Sequence, residues 1–114
     1  MAESNCLFCK MIRKEIKAKV EYEDERMLVI HDINPQAPAH LLVIPKKHVE
    51  TLAALETSDI PMMGDIIHGA TKVAKKNGWE HYRLVFNNGA EAGQSIFHIH
   101  LHLLAGRRMA WPPG

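Results

Sequence analysis

Apolar residues recur at helical spacing over Leu7, Phe8, Met11, Ile12 and Ile16, which predicts a short helix near the start of the chain. Residues 20–23 and 27–31 then read as two short strands, with Asp24-Glu25 as the turn between them. Asn34-Pro35-Gln36-Ala37-Pro38 is a loop, because its prolines exclude helix and central strand. The continuous apolar run at 40–45, His-Leu-Leu-Val-Ile-Pro, has the length of a buried strand. The best helix is 61–76. Met63, Ile66, Ile67, Ala70, Val73 and Ala74 make its apolar stripe, Pro61 suits the first turn, and Asn77-Gly78 is a stop. A strand over 83–87, a Gly-rich loop over 88–93 and a strand over 95–104 close the pattern as a hairpin.

Segregated hairpins without βαβ repeats predict an α+β fold with a mostly antiparallel five-stranded sheet, one long helix and at least one short one. No repeat, linker or low-complexity stretch interrupts the 114 residues, so 1–114 is expected to be one domain. With 24% charged residues and a formal net charge of +1, no global field draws the chain toward nucleic acid or anionic membrane. No apolar run approaches the roughly 20 residues of a membrane span. The first residues lack the basic start and apolar stretch of a signal peptide, so a cytoplasmic location is expected.

Histidine changes the picture: there are eight, and three alternate in His98-Ile99-His100-Leu101-His102. On a strand, alternation puts the three on one face, roughly 7 Å apart in steps. Together they supply a nucleophile, a proton donor and charge for a phosphate near neutral pH. A solvated polar face and a shared metal are the competing readings. The preceding turn, Asn87 to Ser95, brings glycines that let main-chain N–H groups approach an anion, and the Ser95 hydroxyl. His31, His68 and His81 read as surface or capping groups, Trp79 as packing, and Asp59, Asp65 and Glu23-Asp24-Glu25 as helix-start and turn charges. Cys6 and Cys9, the two cysteines present, are half a zinc site, a redox pair or two small residues. Too few residues precede Cys6 for the strand that a thioredoxin-type motif follows.

The His-φ-His-φ-His-φ-φ pattern (φ, apolar) of residues 98–104 resembles the motif of the histidine-triad (HIT) superfamily. Residues 92–97, 31–38 and 40–48 are similar to the same family, and the ending from Gly106 to Gly114 to its Hint branch. The resemblance runs from about Leu7 to the C-terminus. It implies an α+β homodimer whose sheet continues across the interface, and hydrolysis of P–N bonds in purine nucleoside phosphoramidates such as AMP-lysine, without a metal in the chemistry. By position, His100 is the nucleophile, and His102 and His40 contact or orient the phosphate. Gly93, Gln94 and Ser95 hold its oxygens, and Asp32 binds the ribose hydroxyls, with Ile33 beside the base and Asn87 near the ribose-phosphate. Trp111 reaches toward the partner subunit's leaving-group side. Ser95 and His102 are both candidates for protonating the amine. Some relatives with Cys-x-x-Cys hold a structural zinc, which maps to Cys6, Cys9, His48 and His98. Dinucleoside polyphosphate hydrolysis and a zinc-dependent nucleotide-sensing module are the alternatives. Lys17 and Ala110 depart from the family pattern, the latter where amine preference is shaped.

Overall fold

The apolar runs at 27–31 and 40–45 form adjacent central strands of the sheet in a computed structural model, which describes residues 5–114. The five strands are β1 (Val20–Glu23), β2 (Met27–His31), β3 (Ala39–Pro45), β4 (Tyr82–Val85) and β5 (Leu101–Ala105). Their order is β1-β2-β3-β5-β4, every neighbour antiparallel, with Val29 opposite Val43 and Leu41 opposite Leu103. The predicted α+β class, the antiparallel five-stranded sheet and the single long helix are therefore correct.

The alternation along β2 and β3 explains why both are buried on two sides. Met27, Val29, Leu41 and Val43 face the long helix α2 (Ile60–Lys76), where Ile66, Ala70, Val73 and Ala74 meet them with Leu101 and Leu103. Leu28, Ile30, Leu42 and Ile44 face the other way, onto Phe8 of the short helix α1 (Leu7–Ile12). The helix α2 begins at Asp59 with proline in its first turn, carries Lys75 and Lys76 in its last, and ends at Asn77 and a left-handed Gly78. Gly69 lies under Met27, and a Cβ there would crowd the sulfur and methyl at the end of that side chain. Ile67, read as part of the core stripe, is instead 44% exposed on the far edge of that helix. Among the described residues no helix is long and apolar enough to cross a membrane.

The main correction concerns the last strand. Regular pairing starts at Leu101, so the predicted strand over 95–104 is only half formed, and His98 and His100 precede it. Proline explains the stop. Continuing the β3–β5 register backward would bring the partner chain to Pro45, which has no N–H to give. The Pro45 carbonyl accepts instead from the His98 ring at 2.7 Å, and the Ile99 amide turns to the Val49 carbonyl at 2.8 Å. The same histidines still point to the α1 side of the sheet, held by the irregular segment rather than by strand pleating.

Candidate active site

His98, His100 and His102 end up in different surroundings. His98 is fully buried and His100 is 8% exposed, while His102 is half-buried on β5. Phe8 stands edge-on to the rings of His98 and His100, at centroid distances of 5.9 and 5.0 Å. Burial in this apolar frame pushes all three imidazoles toward the neutral form, His98 and His102 to about 4 and His100 in the same direction. His100 Nδ1 lies 2.8 Å from the His98 carbonyl oxygen. A carbonyl only accepts, so Nδ1 carries the proton and Nε2 keeps an unshared lone pair. A neutral imidazole with a free Nε2 is the form required of a nucleophile.

Beside it, the His102 ring is 5.0 Å from that of His100, and His102 Nδ1 lies 2.9 Å from His40 Nε2. His40, buried on β3 opposite Leu104, has its Nδ1 3.0 Å from the main-chain nitrogen of Gln36. Its pKa is lowered by burial, against the opposing pull of Asp32, whose carboxylate is 3.4 Å away. Asp32 also caps its own loop through the Asn34 amide at 2.8 Å, and Ile33 next to it is entirely exposed. Thus Asp32, His40, His100 and His102 form one continuous polar wall under an exposed apolar lip.

The loop between β4 and β5 completes the site's rim. Gly93 has φ of 103°, and a Cβ on it would touch the half-buried Asn87 amide at 3.4 Å. Gln94, placed by sequence among the phosphate holders, has its side chain spent inside the loop: Oε1 accepts from the Gly89 amide at 2.8 Å, and Nε2 donates to the carbonyls of Glu50 and Ile96. The main-chain amides of Gly93 and Gln94 are committed to Ala90 and Gly89. Ser95, which follows them, is exposed and keeps its hydroxyl available to a bound anion. Trp111 is 82% exposed near the C-terminus and touches none of these groups by ring contact. Two contributors escaped sequence reasoning. Phe8 looked like ordinary helix core, and the Gln36 amide is a main-chain group that no side-chain pattern reveals.

Cys6, Cys9, His48 and His98 bring one donor atom each to within 4.8 Å of one another. The spacings are 3.4 Å for Cys6 Sγ–His98 Nδ1, 3.4 Å for Cys9 Sγ–His48 Nδ1, 3.6 Å for Cys9 Sγ–His98 Nδ1 and 3.1 Å between the two Nδ1 atoms. Zinc–ligand lengths near 2.3 Å for sulfur and 2.0–2.1 Å for nitrogen separate tetrahedral donors by roughly 3.3–3.8 Å. The donor set fits zinc in kind and spacing. His98 Nε2 donates to the Pro45 carbonyl, so its Nδ1 lone pair faces the thiols, which is the outer-shell arrangement expected of a ligating histidine. His48 Nε2 is buried without a partner among the described residues, so that ring's tautomer is set by what sits at Nδ1.

Comparison with known proteins places this chain in a family. The family model described as "Scavenger mRNA decapping enzyme C-term binding" matches residues 5–110. A HIT-like protein of Synechocystis is 49% identical over 100% of both chains. The chain belongs to the histidine-triad family. A solved HIT family hydrolase from Legionella pneumophila is 50% identical, with a TM-score of 0.94 over 96% of this chain and 100% of its own. The fold seen here is thus shared with that HIT family hydrolase. A 14 kDa zinc-binding protein of Zea mays is 49% identical over 98% of this chain and 90% of its own length.

Proposed function

We propose that this HIT hydrolase cleaves the P–N bond of purine nucleoside 5'-phosphoramidates, AMP-lysine and AMP-NH2 among them, to AMP and amine through a nucleotidyl-histidine on His100. The observation that carries this reading is the His100 tautomer: Nδ1 bound to the His98 carbonyl, Nε2 bare, in a buried neutral ring. His100 Nε2 attacks the α-phosphorus as the P–N bond breaks, and the departing nitrogen takes a proton by way of Ser95 or His102. Water then attacks the same phosphorus, the P–Nε2 bond breaks, and His100 returns to its starting form with AMP released. Asp32 takes the ribose hydroxyls, Ile33 lies against the base and Asn87 flanks the ribose-phosphate. Ser95, His40 and His102 serve the phosphoryl oxygens, while Gly93 and Gln94 keep the loop in shape for Ser95.

The Cys6, Cys9, His48 and His98 cluster holds a structural zinc in this reading. When bound, the metal supplies a cross-link between the start of α1 and the segment carrying His100. It takes no part in the hydrolysis. The exposed edge of β4 is where a second copy continues the sheet, which brings Trp111 to the partner's leaving-group side. The protein acts as a single domain, a cytoplasmic homodimer that uses neither nucleic acid nor membrane. Release of amine from a fluorogenic adenosine phosphoramidate tests the reading, with a dinucleoside polyphosphate as the rival substrate. Turnover of the phosphoramidate that disappears in His100→Ala is expected. Preference for the dinucleotide, or an active His100→Ala protein, overturns it.

A further inference from the structure

Asp32, His40 and His102 place donor atoms within 4.8 Å of one another, two imidazoles and a carboxylate at a partly open site. That is the composition of a facial site for a divalent transition metal. The hydrogen bonds around it, however, admit a single arrangement of protons. The Gln36 amide can only donate, so His40 Nδ1, 3.0 Å away, must present a lone pair. A neutral His40 then carries its hydrogen on Nε2. That hydrogen faces His102 Nδ1 at 2.9 Å, with the Asp32 carboxylate at 3.4 Å as a second acceptor. His102 Nδ1 therefore accepts, and His102 keeps its own hydrogen on Nε2.

We propose that the main-chain amide of Gln36 is the positioning group that closes the Asp32–His40–His102 cluster to metal ions and leaves His102 with its hydrogen on Nε2. A metal at His40 would need the Nε2 lone pair and would drive the ring's hydrogen onto Nδ1, against the Gln36 N–H. The loop is braced to resist this: Gln36 Nε2 donates to the Asn34 carbonyl at 3.0 Å, and Arg107 Nε donates to the Gln36 carbonyl at 3.0 Å. The cysteine cluster has no such lock, because the outer nitrogen of His98 donates to a carbonyl, which leaves the Nδ1 lone pair facing the thiols and His48 rather than a main-chain N–H. Two histidine clusters in one small chain are thus sorted by one main-chain donor, one for metal and one against it.

Resting on the phosphoramidase reading, the same chain of bonds decides the role of His102. With its Nδ1 accepting from His40, the neutral His102 ring presents Nε2 as a donor. His102 consequently acts as a fixed hydrogen-bond donor to a phosphoryl oxygen, beside the bare Nε2 of His100.

Ring 15N spectra of the protein with histidine labelled, recorded at neutral pH with and without excess zinc chloride, test the proposal. Expected in wild type are an unprotonated Nδ1 and protonated Nε2 on His40, the same pattern on His102, and no movement of either ring with zinc. A hydrogen on His40 Nδ1, or zinc-dependent shifts of both rings, overturns it. Gln36→Pro removes the amide in an exposed loop, whereas Gln36→Ala retains it. In folded Gln36→Pro the His40 pattern is expected to be lost and both rings to respond to zinc, with Gln36→Ala behaving as wild type in the spectra. A proline variant whose rings match those of the alanine variant contradicts the assignment. None of these readouts involves turnover, so they stand or fall separately from the phosphoramidase reading.

Discussion

Acid should destabilise this protein through His102 in a window that its burial defines. In the unfolded chain the imidazole titrates near 6.5; in the fold it is held to about 4, first by burial and then by the neighbouring His100 and His40, against the pull of Asp32. Between those values the unfolded chain binds a proton that the folded one refuses. Stability is therefore complete above the unfolded value, falls as pH drops below about 6.5, and bottoms out near 4. Each pH unit in the window costs about 1.4 kcal/mol for one group, so the loss is about 2 kcal/mol by pH 5 and roughly 3 kcal/mol in all. Urea unfolding of wild type and His102→Asn at pH 7 and pH 5 tests this contribution together with its coupling to His40 and His100. Both proteins keep Cys6, Cys9, His48 and His98, so the acid sensitivity of that cluster cancels in the difference. Wild type is expected to lose about 2 kcal/mol more than the variant between the two pH values. Parallel losses would refute the reasoning that His102 stays neutral because the fold keeps it so.

Gly69→Ala should lower stability by about 1 kcal/mol, because crowding of the Met27 sulfur outweighs the better helix propensity of alanine. In a Met27→Ala background the same change should turn stabilising, and urea midpoints of the four proteins check the reversal. Phe8→Ala should cost about 3–5 kcal/mol as a core truncation and also slow amine release, since the ring it removes walls His100; calorimetry with a turnover assay separates the two losses. A strong zinc chelator should lower the melting temperature of wild type and leave Cys9→Ala unaffected. At zinc a hundredfold above its Kd the linked stability is about 2.7 kcal/mol.

Local pattern revealed most of the framework. Strands at 20–23 and 27–31 were legible because apolar runs are broken there by Asp24, whose carboxylate does take the amides of Arg26 and Met27 in the turn. The long helix was legible because Pro61 and Asn77-Gly78 punctuate its stripe. The histidine alternation pointed to the right residues for a partly wrong reason. Period-two spacing implied a strand, yet Pro45 on the neighbouring strand ends the ladder before His100, and a constraint from a distant residue cannot be read from local spacing. Gln94 shows a related limit: an amide in a glycine loop suits an anion or its own backbone equally well, and here the backbone takes it. Main-chain groups set the tautomers of both His100 and His40, and nothing in side-chain identity announces them. The exposed positions of Ile33 and Trp111 were likewise outside what hydrophobic patterning expects, since it assigns such residues to the core.

The central claim is that His100 attacks phosphorus and carries the nucleotide. Rapid-quench mass spectrometry of wild type mixed with an adenosine phosphoramidate tests it most directly. An adduct of one AMP per active site, localised to the His100 side chain by fragmentation of its peptide and hydrolysed within the turnover time, is the predicted result. Steady turnover with no adduct at the shortest times, or an adduct on His98 or His102, would contradict it.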